Sequence, residues 1–159
     1  MKRFILVLLA ASLTLSAQAA SYKIDTQGAH AFIQFKIKHL GFSWVVGQFN
    51  DFDGSFEYDK NQLNQSSVAV NIKTASLDTN HALRDEHLTG KDFLNVSDFP
   101  SATFRSTSVN IDGDQGIITG KLNLHGVEKE ITLKVAMIGE GNDPWGSYRA
   151  GFDGSTTLK

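Results

Sequence analysis

The period of the hydrophobic pattern constrains this chain most. Ile33, Phe35 and Ile37 alternate with Gln34, Lys36 and Lys38, the two-residue repeat of a strand with one buried face. The same repeat returns in Val68, Val70 and Ile72, in Ile118, Leu122 and Leu124, in Ile131, Leu133, Val135 and Met137, and in Tyr148, Ala150 and Phe152. Phe104 to Ile111 follows it less regularly. In the segment holding Val46, Phe49, Phe52, Phe56 and Tyr58 the apolar positions change parity between Phe49 and Phe52. A β-bulge near Asn50-Asp51 would restore one face there. Asp112-Gly113-Asp114 and His125-Gly126-Val127-Glu128 are short enough to force antiparallel hairpins. One segment breaks the rule. Asn80 to Leu88 predicts a short helix capped by Thr79 or Asn80 and stopped by Gly90. A second helical turn is expected over Asp92 to Asn95.

Successive hairpins, each with one apolar face, must bury those faces together. Closing the sheet on itself does this and removes its exposed edges. The expected fold is therefore all-β: an antiparallel, up-and-down, lipocalin-like barrel with a short helical insertion. A two-sheet sandwich is the alternative. The chain stops at Lys159, in or just after the seventh expected strand, so a closing C-terminal strand is expected beyond it.

The N-terminus carries a separate signal. Lys2 and Arg3 precede the apolar run Phe4 to Leu13, and Ala17-Gln18-Ala19 follows. Positive, apolar and small-residue regions in that order are the three parts of a cleavable secretory signal peptide. The apolar run is shorter than the roughly 20 residues that span a bilayer. Residues 1–19 are thus read as a Sec signal peptide and 20–159 as one domain, with the periplasm as the expected destination. No later segment is apolar enough to cross a membrane.

Composition narrows the partners. Removing Lys2 and Arg3 from the 15 basic residues leaves 13 against 17 acidic ones, a net charge of −4. That balance argues against nucleic acid, which recruits clustered Lys and Arg, and against electrostatic docking of the domain on anionic lipid. Cysteine is absent, which excludes disulfides and thiolate zinc sites. Ten of the eleven Phe lie in residues 20–159, a large number for so small a core. Ordinary packing and an interior that takes an apolar ligand both account for it.

Sites for chemistry are few. There is no Gly-x-Ser-x-Gly and no phosphate-cradling glycine loop. Asp78, His81, Asp85 and His87 form the sharpest cluster, with His81 and Asp85 on one helix face. Metal binding or acid–base work is one reading, capping and surface pairing the other. His39 shares parity with Phe35 and Ile37. It either faces the interior as a polar handle for a head group or faces water at the rim.

The order of motifs resembles a known family. Gly28-Ala29-His30 runs on to Phe35-x-Ile37-x-His39-Leu40-Gly41, then Gly47-x-Phe49 and Phe52-x-Gly54. Ser76-x-Asp78-Thr79, Arg84-Asp85-x-His87-Leu88, Phe93-Leu94, Phe99-Pro100 and Ala102-x-Phe104 follow. Gly120-x-Leu122-x-Leu124-x-Gly126-Val127, Asp143-Pro144-Trp145-Gly146 and Arg149-Ala150-Gly151-Phe152 complete the series. Together these resemble the YceI-like family over nearly the whole domain, in a C-terminally shortened form.

The resemblance implies a lipocalin-like barrel around a long apolar pore. It implies a polyisoprenoid or related amphiphilic lipid, such as a quinone-like molecule, as ligand, with no catalytic residues and no cofactor. The residues expected to line the pore are Phe35, Ile37, His39, Phe49, Phe56, Val70, Ile72, Leu122, Leu124, Val135 and Phe152, with Phe93 in a lid. A self-filled, stress-related interaction protein and an enzyme built on His81 to His87 are the alternatives, and a homodimer is a possible assembly. The leader generates one prediction. Mass spectrometry of the exported protein should find Ala20 at the N-terminus, and a chain that keeps Met1 in a membrane fraction would refute the leader.

Overall fold

The computed structural model describes residues 19–158. The expected signal peptide, Ala19 apart, lies outside the described residues. The described residues form ten strands and one helix in the order β1 (Ala20–Lys23), β2 (Ile33–His39), β3 (Ser43–Phe49), β4 (Phe52–Tyr58), β5 (Ser67–Lys73), β6 (Leu77–Asp78), α1 (Ala82–Thr89), β7 (Ser101–Asp112), β8 (Gln115–Leu124), β9 (Val127–Asn142) and β10 (Tyr148–Ser155). Seven of them make one antiparallel sheet in the order β1-β4-β5-β7-β8-β9-β10, and β2-β3-β6 make a second.

The larger sheet is curled into a half-barrel. Phe152 of β10 lies edge-on to Phe56 and Tyr58 of β4, with ring centroids 5.7 and 5.4 Å apart. These strands stand near opposite ends of the strand order, so their rings meet only because the sheet rolls over. β1 and β10 exchange no ladder hydrogen bonds among the described residues. Side chains join the two edges. Arg149 donates to Asp143 at 2.7 Å and to Asp25, just past β1, at 2.9 Å. The lipocalin-like antiparallel architecture is therefore present, in a half-closed form.

Two irregularities supply the curvature. In β7, Ser106 faces Gly120 and Ser108 faces Thr119, which leaves Thr107 as an extra residue. This bulge explains the uneven apolar pattern of Phe104 to Ile111. In β9, Ile138 is the extra residue between Met137, opposite Phe152, and Gly139, opposite Gly151. Bulges of this kind bend and twist a strand.

The parity change between Phe49 and Phe52 marks a change of sheet. Phe49 faces Leu77 in the small sheet, and Phe52 faces Ile72 in the large one. Asn50-Asp51 on one strand lies opposite a single 3-10 turn, Thr74–Ser76, on the other. The Asn50 N–H donates to the Ser76 carbonyl, and Ser76 Oγ accepts from the Asp51 N–H. A break opposed by a turn thus replaces the expected simple bulge, and it swings β2 and β3 out of the main sheet.

The helix begins later than its sequence predicts. Asn80 adopts φ +61° and gives its N–H to Asp78, while Thr79 is fully engaged elsewhere. His81 caps the helix instead, its Nδ1 accepting from the Arg84 N–H at 3.2 Å. Arg84 donates to both the hydroxyl and the carbonyl of Thr79, at 2.7 Å each. Asp85 accepts from the Thr79 N–H and hydroxyl. Gly90 ends the helix as expected. Asp92 to Asn95 forms turns rather than the expected helical turn.

The β8–β9 turn depends on glycine. His125 and Gly126 have φ of +54° and +73°, the pair of left-handed residues that a two-residue hairpin of the primed type demands. A Cβ on Gly126 would also stand 2.5 Å from the Phe99 ring. Gly126→Ala should destabilise the protein by roughly 1–3 kcal/mol, read from urea unfolding. An unchanged midpoint would contradict the packing of Phe99 on this turn.

Acid sensitivity follows from the carboxylates. Hydrogen bonds from the Gly28 N–H and His30 lower Asp25, the Thr79 hydroxyl lowers Asp85, and the Arg149 guanidinium lowers Asp143. A carboxyl lowered by folding stabilises the fold above its unfolded pKa, and that contribution disappears as pH falls through the folded value. Tm should hold from neutrality to about pH 5 and drop below about pH 4. Asp143→Asn should flatten the drop when Tm is measured across that range.

Candidate ligand-binding face

Cross-strand partners share a face of a sheet, so the register assigns the lining. Phe56 faces Val68, Gly54 faces Val70 and Phe52 faces Ile72. Val70 faces Phe104, which in turn faces Leu122. Ile118 faces Leu133, Gly116 faces Val135, and Met137 faces Phe152. Because Phe152 touches Phe56 and Tyr58, all of these belong to the concave face. The opposite face is polar. Asn71 donates to Asp53, Arg105 donates to Asn71, and Lys121 pairs with Glu128.

Seven of the residues expected in the pore therefore share one surface: Phe56, Val70, Ile72, Leu122, Leu124, Val135 and Phe152. Most are half-buried, so the stripe remains partly open. Phe35, Ile37, His39 and Phe49 lie apart from it, on one face of the β2–β3 pair. Phe35 and Phe49 pack at 5.8 Å, while Ile37 and His39 are exposed. Phe93 lies in the loop after α1, exposed and edge-on to His87 at 4.8 Å.

The structure adds residues that the pattern alone left out. Phe104 is 6 % exposed, and its ring passes so close to Gly120 that a Cβ there would sit 2.5 Å away. Its pairing with Val70 and Leu122 makes it the floor of the face. Tyr22 stacks flat on Phe56 at 4.9 Å. One end of the face carries a recess of about 220 Å³ lined by Tyr58, Ile111, Val135, Met137, Glu140 and Phe152. Burial, and after it the neighbouring Glu140 carboxylate, push the Tyr58 hydroxyl up to about 12. The Tyr148 hydroxyl is also raised, first by partial desolvation and then by the nearby Glu140 carboxylate. The even parity of Tyr58 with Phe56 could have announced it. Glu140 lies past the β9 bulge and had no such signal.

The His81 to His87 cluster is occupied by structure. His81 caps α1, Asp85 holds Thr79, and His87 packs on Phe93. Capping and surface pairing is thus the reading that the geometry supports. The apolar face can take a chain-shaped hydrocarbon, and Tyr58 with Glu140 can meet a polar group at its end.

Comparison with known proteins agrees with this architecture. The YceI-like domain model matches residues 22–159. A UPF0312 protein of Pseudomonas aeruginosa is 60% identical over 143 residues, covering 90% of this chain and 75% of the relative. A UPF0312 protein of Yersinia pestis is 57% identical over 144 residues, covering 91% and 75%. Among solved structures, the Campylobacter jejuni YCEI protein matches with a TM-score of 0.65 at 34% identity, over 82% of this chain and 76% of that one. Burkholderia cenocepacia BcnA matches with a TM-score of 0.63 at 25% identity, over 68% and 67%. On the family match and the identity to these relatives, the chain belongs to the YceI-like family.

Proposed function

We propose that this protein is a periplasmic carrier for a polyisoprenoid or a related amphiphilic lipid, held against the concave face of the large sheet. One observation carries the reading: the apolar stripe from Phe56 through Phe104 and Leu122 to Phe152 is continuous, yet most of its side chains are only half-buried. Such a surface gains free energy from an apolar occupant, about 0.8 kcal/mol for each methylene-sized unit removed from water. Ordering a flexible chain offsets part of that gain. The recess beside Tyr58 and Glu140 is smaller than the 300–1,000 Å³ or so of an ordinary small-molecule pocket, so the ligand would lie along the face. The secretory leader supports the periplasm as the place of action.

A second reading has its own support. Tyr22, Phe56, Tyr58 and Phe152 pack on one another, so one end of the interior is filled by the protein's own rings. A barrel filled in this way throughout would be a non-catalytic interaction protein.

Native mass spectrometry of protein extracted from the periplasm separates the two. The carrier should hold, or take up from added polyprenols, one lipid chain. Val70→Arg puts a charge on the lining without a partner and should weaken uptake at least about tenfold, with circular dichroism checking the fold. Folded wild type that carries no lipid and takes up none would leave the self-filled barrel as the function.

A further inference from the structure

The chain is segregated in charge. No Asp or Glu occurs from Thr26 to Asn50, so all 17 acidic residues lie elsewhere, while this stretch carries Lys36 and Lys38. It contains the β2–β3 hairpin, which the break at Asn50-Asp51 swings out of the main sheet. The tip is apolar and open. Leu40 is 77 % exposed and Phe42 92 %. Leu40 and Gly41 both adopt left-handed φ, and the Phe42 N–H closes the turn on the His39 carbonyl at 3.0 Å.

The face behind the tip continues the pattern. Trp44 is 55 % exposed and Val46 56 %. Lys38 stands directly opposite Trp44, and Lys36 opposite Val46. The Lys36 ammonium lies 4.3 Å over the Trp44 ring. Apolar side chains at the end, then an indole, then flexible ammonium groups form the sequence of environments met on passing from acyl chains to phosphates in a bilayer. The rest of the surface is acid-rich, so a negatively charged membrane repels it and attracts this end.

We propose that the β2–β3 hairpin is a docking element for an anionic phospholipid surface. Leu40 and Phe42 enter the acyl boundary, Trp44 sits at head-group depth, and Lys36 and Lys38 face the phosphates. The net charge of −4 on residues 20–159 disfavours docking through the domain as a whole, but binding through this hairpin is local and largely apolar. The docking element is separate from the concave face, and it stands whether or not that face carries a lipid. If the carrier reading holds, it is the place where the protein meets the membrane that supplies or receives the chain.

Vesicles free of isoprenoids test the proposal. A Trp145→Phe background leaves Trp44 as the sole indole. On adding phosphatidylethanolamine–phosphatidylglycerol vesicles, Trp44 emission should shift to the blue, be quenched by brominated acyl chains, and the protein should float with the lipid. Phe42→Ser should weaken binding roughly tenfold. Lys36→Glu with Lys38→Glu should abolish the preference over phosphatidylcholine vesicles. Both variants should keep the wild-type Tm, since the altered side chains are exposed. Val70→Arg should still float, which keeps this result independent of lipid carriage. Folded protein that does not float, or floats equally well with Phe42→Ser, overturns the proposal. A blue shift that depends on protein concentration without vesicles overturns it too, and assigns the hairpin to a second copy of the chain.

Discussion

The contact of Phe152 with Phe56 and Tyr58 sets the geometry of this molecule. A seven-stranded antiparallel sheet has one apolar face, and that face must be removed from water. Flat, it would need a second layer. Rolled, it covers itself, and rings near its two ends meet across the concavity. Aromatic edge-to-face pairs add a modest specific attraction to the burial. Arg149, spanning Asp143 and Asp25, then ties the outer strands with charge-assisted hydrogen bonds. Those bonds are exposed and contribute little on their own. Their part is to hold two edges in place that no ladder joins among the described residues.

Rolling has local requirements, and the chain meets them with small residues and extra ones. The Thr107 and Ile138 bulges let β7 and β9 bend. Gly120 leaves room for the Phe104 ring at the floor of the face. The bulge in β9 also changes which residues point inward, placing Glu140 beside Tyr58. A purely apolar surface thus acquires one polar end. This asymmetry is what an amphiphile with one polar terminus would require, and the inserted residue adds Glu140 to an end that Lys60, Asp114 and Gln115 also line.

The excursion from β5 to β7 shows how a chemically suggestive cluster becomes structural. Thr79 is 5 % exposed, and a buried hydroxyl and backbone amide must be paired. Arg84 and Asp85 pair them from the first turn of α1. This holds α1 against the junction where β3 hands over to β4. His81 is committed as a cap and His87 to Phe93. Residue types that often serve catalysis are here consumed by the need to satisfy backbone and hydroxyl groups in a tight loop.

The sequence by itself determined the longer strands, their alternation and the family. Period-2 patterning is local, so Phe56, Val70, Ile72, Leu122, Val135 and Phe152 could each be assigned an inner face without knowing their neighbours. The His125-Gly126 turn was legible for the same reason, because backbone sign is a local demand. Local pattern did not reach the short strands β1 and β6, whose pairing is made by distant partners. It also could not distinguish a bulge from a change of sheet at Asn50-Asp51, since both shift parity alike. Only tertiary structure decided that Phe35 and Phe49 belong to an outlying hairpin, that Glu140 meets Tyr58, and that Thr79 consumes Arg84 and Asp85. Those outcomes depend on how far the sheet rolls, and curvature is a property of the whole ladder of strands that no single segment carries.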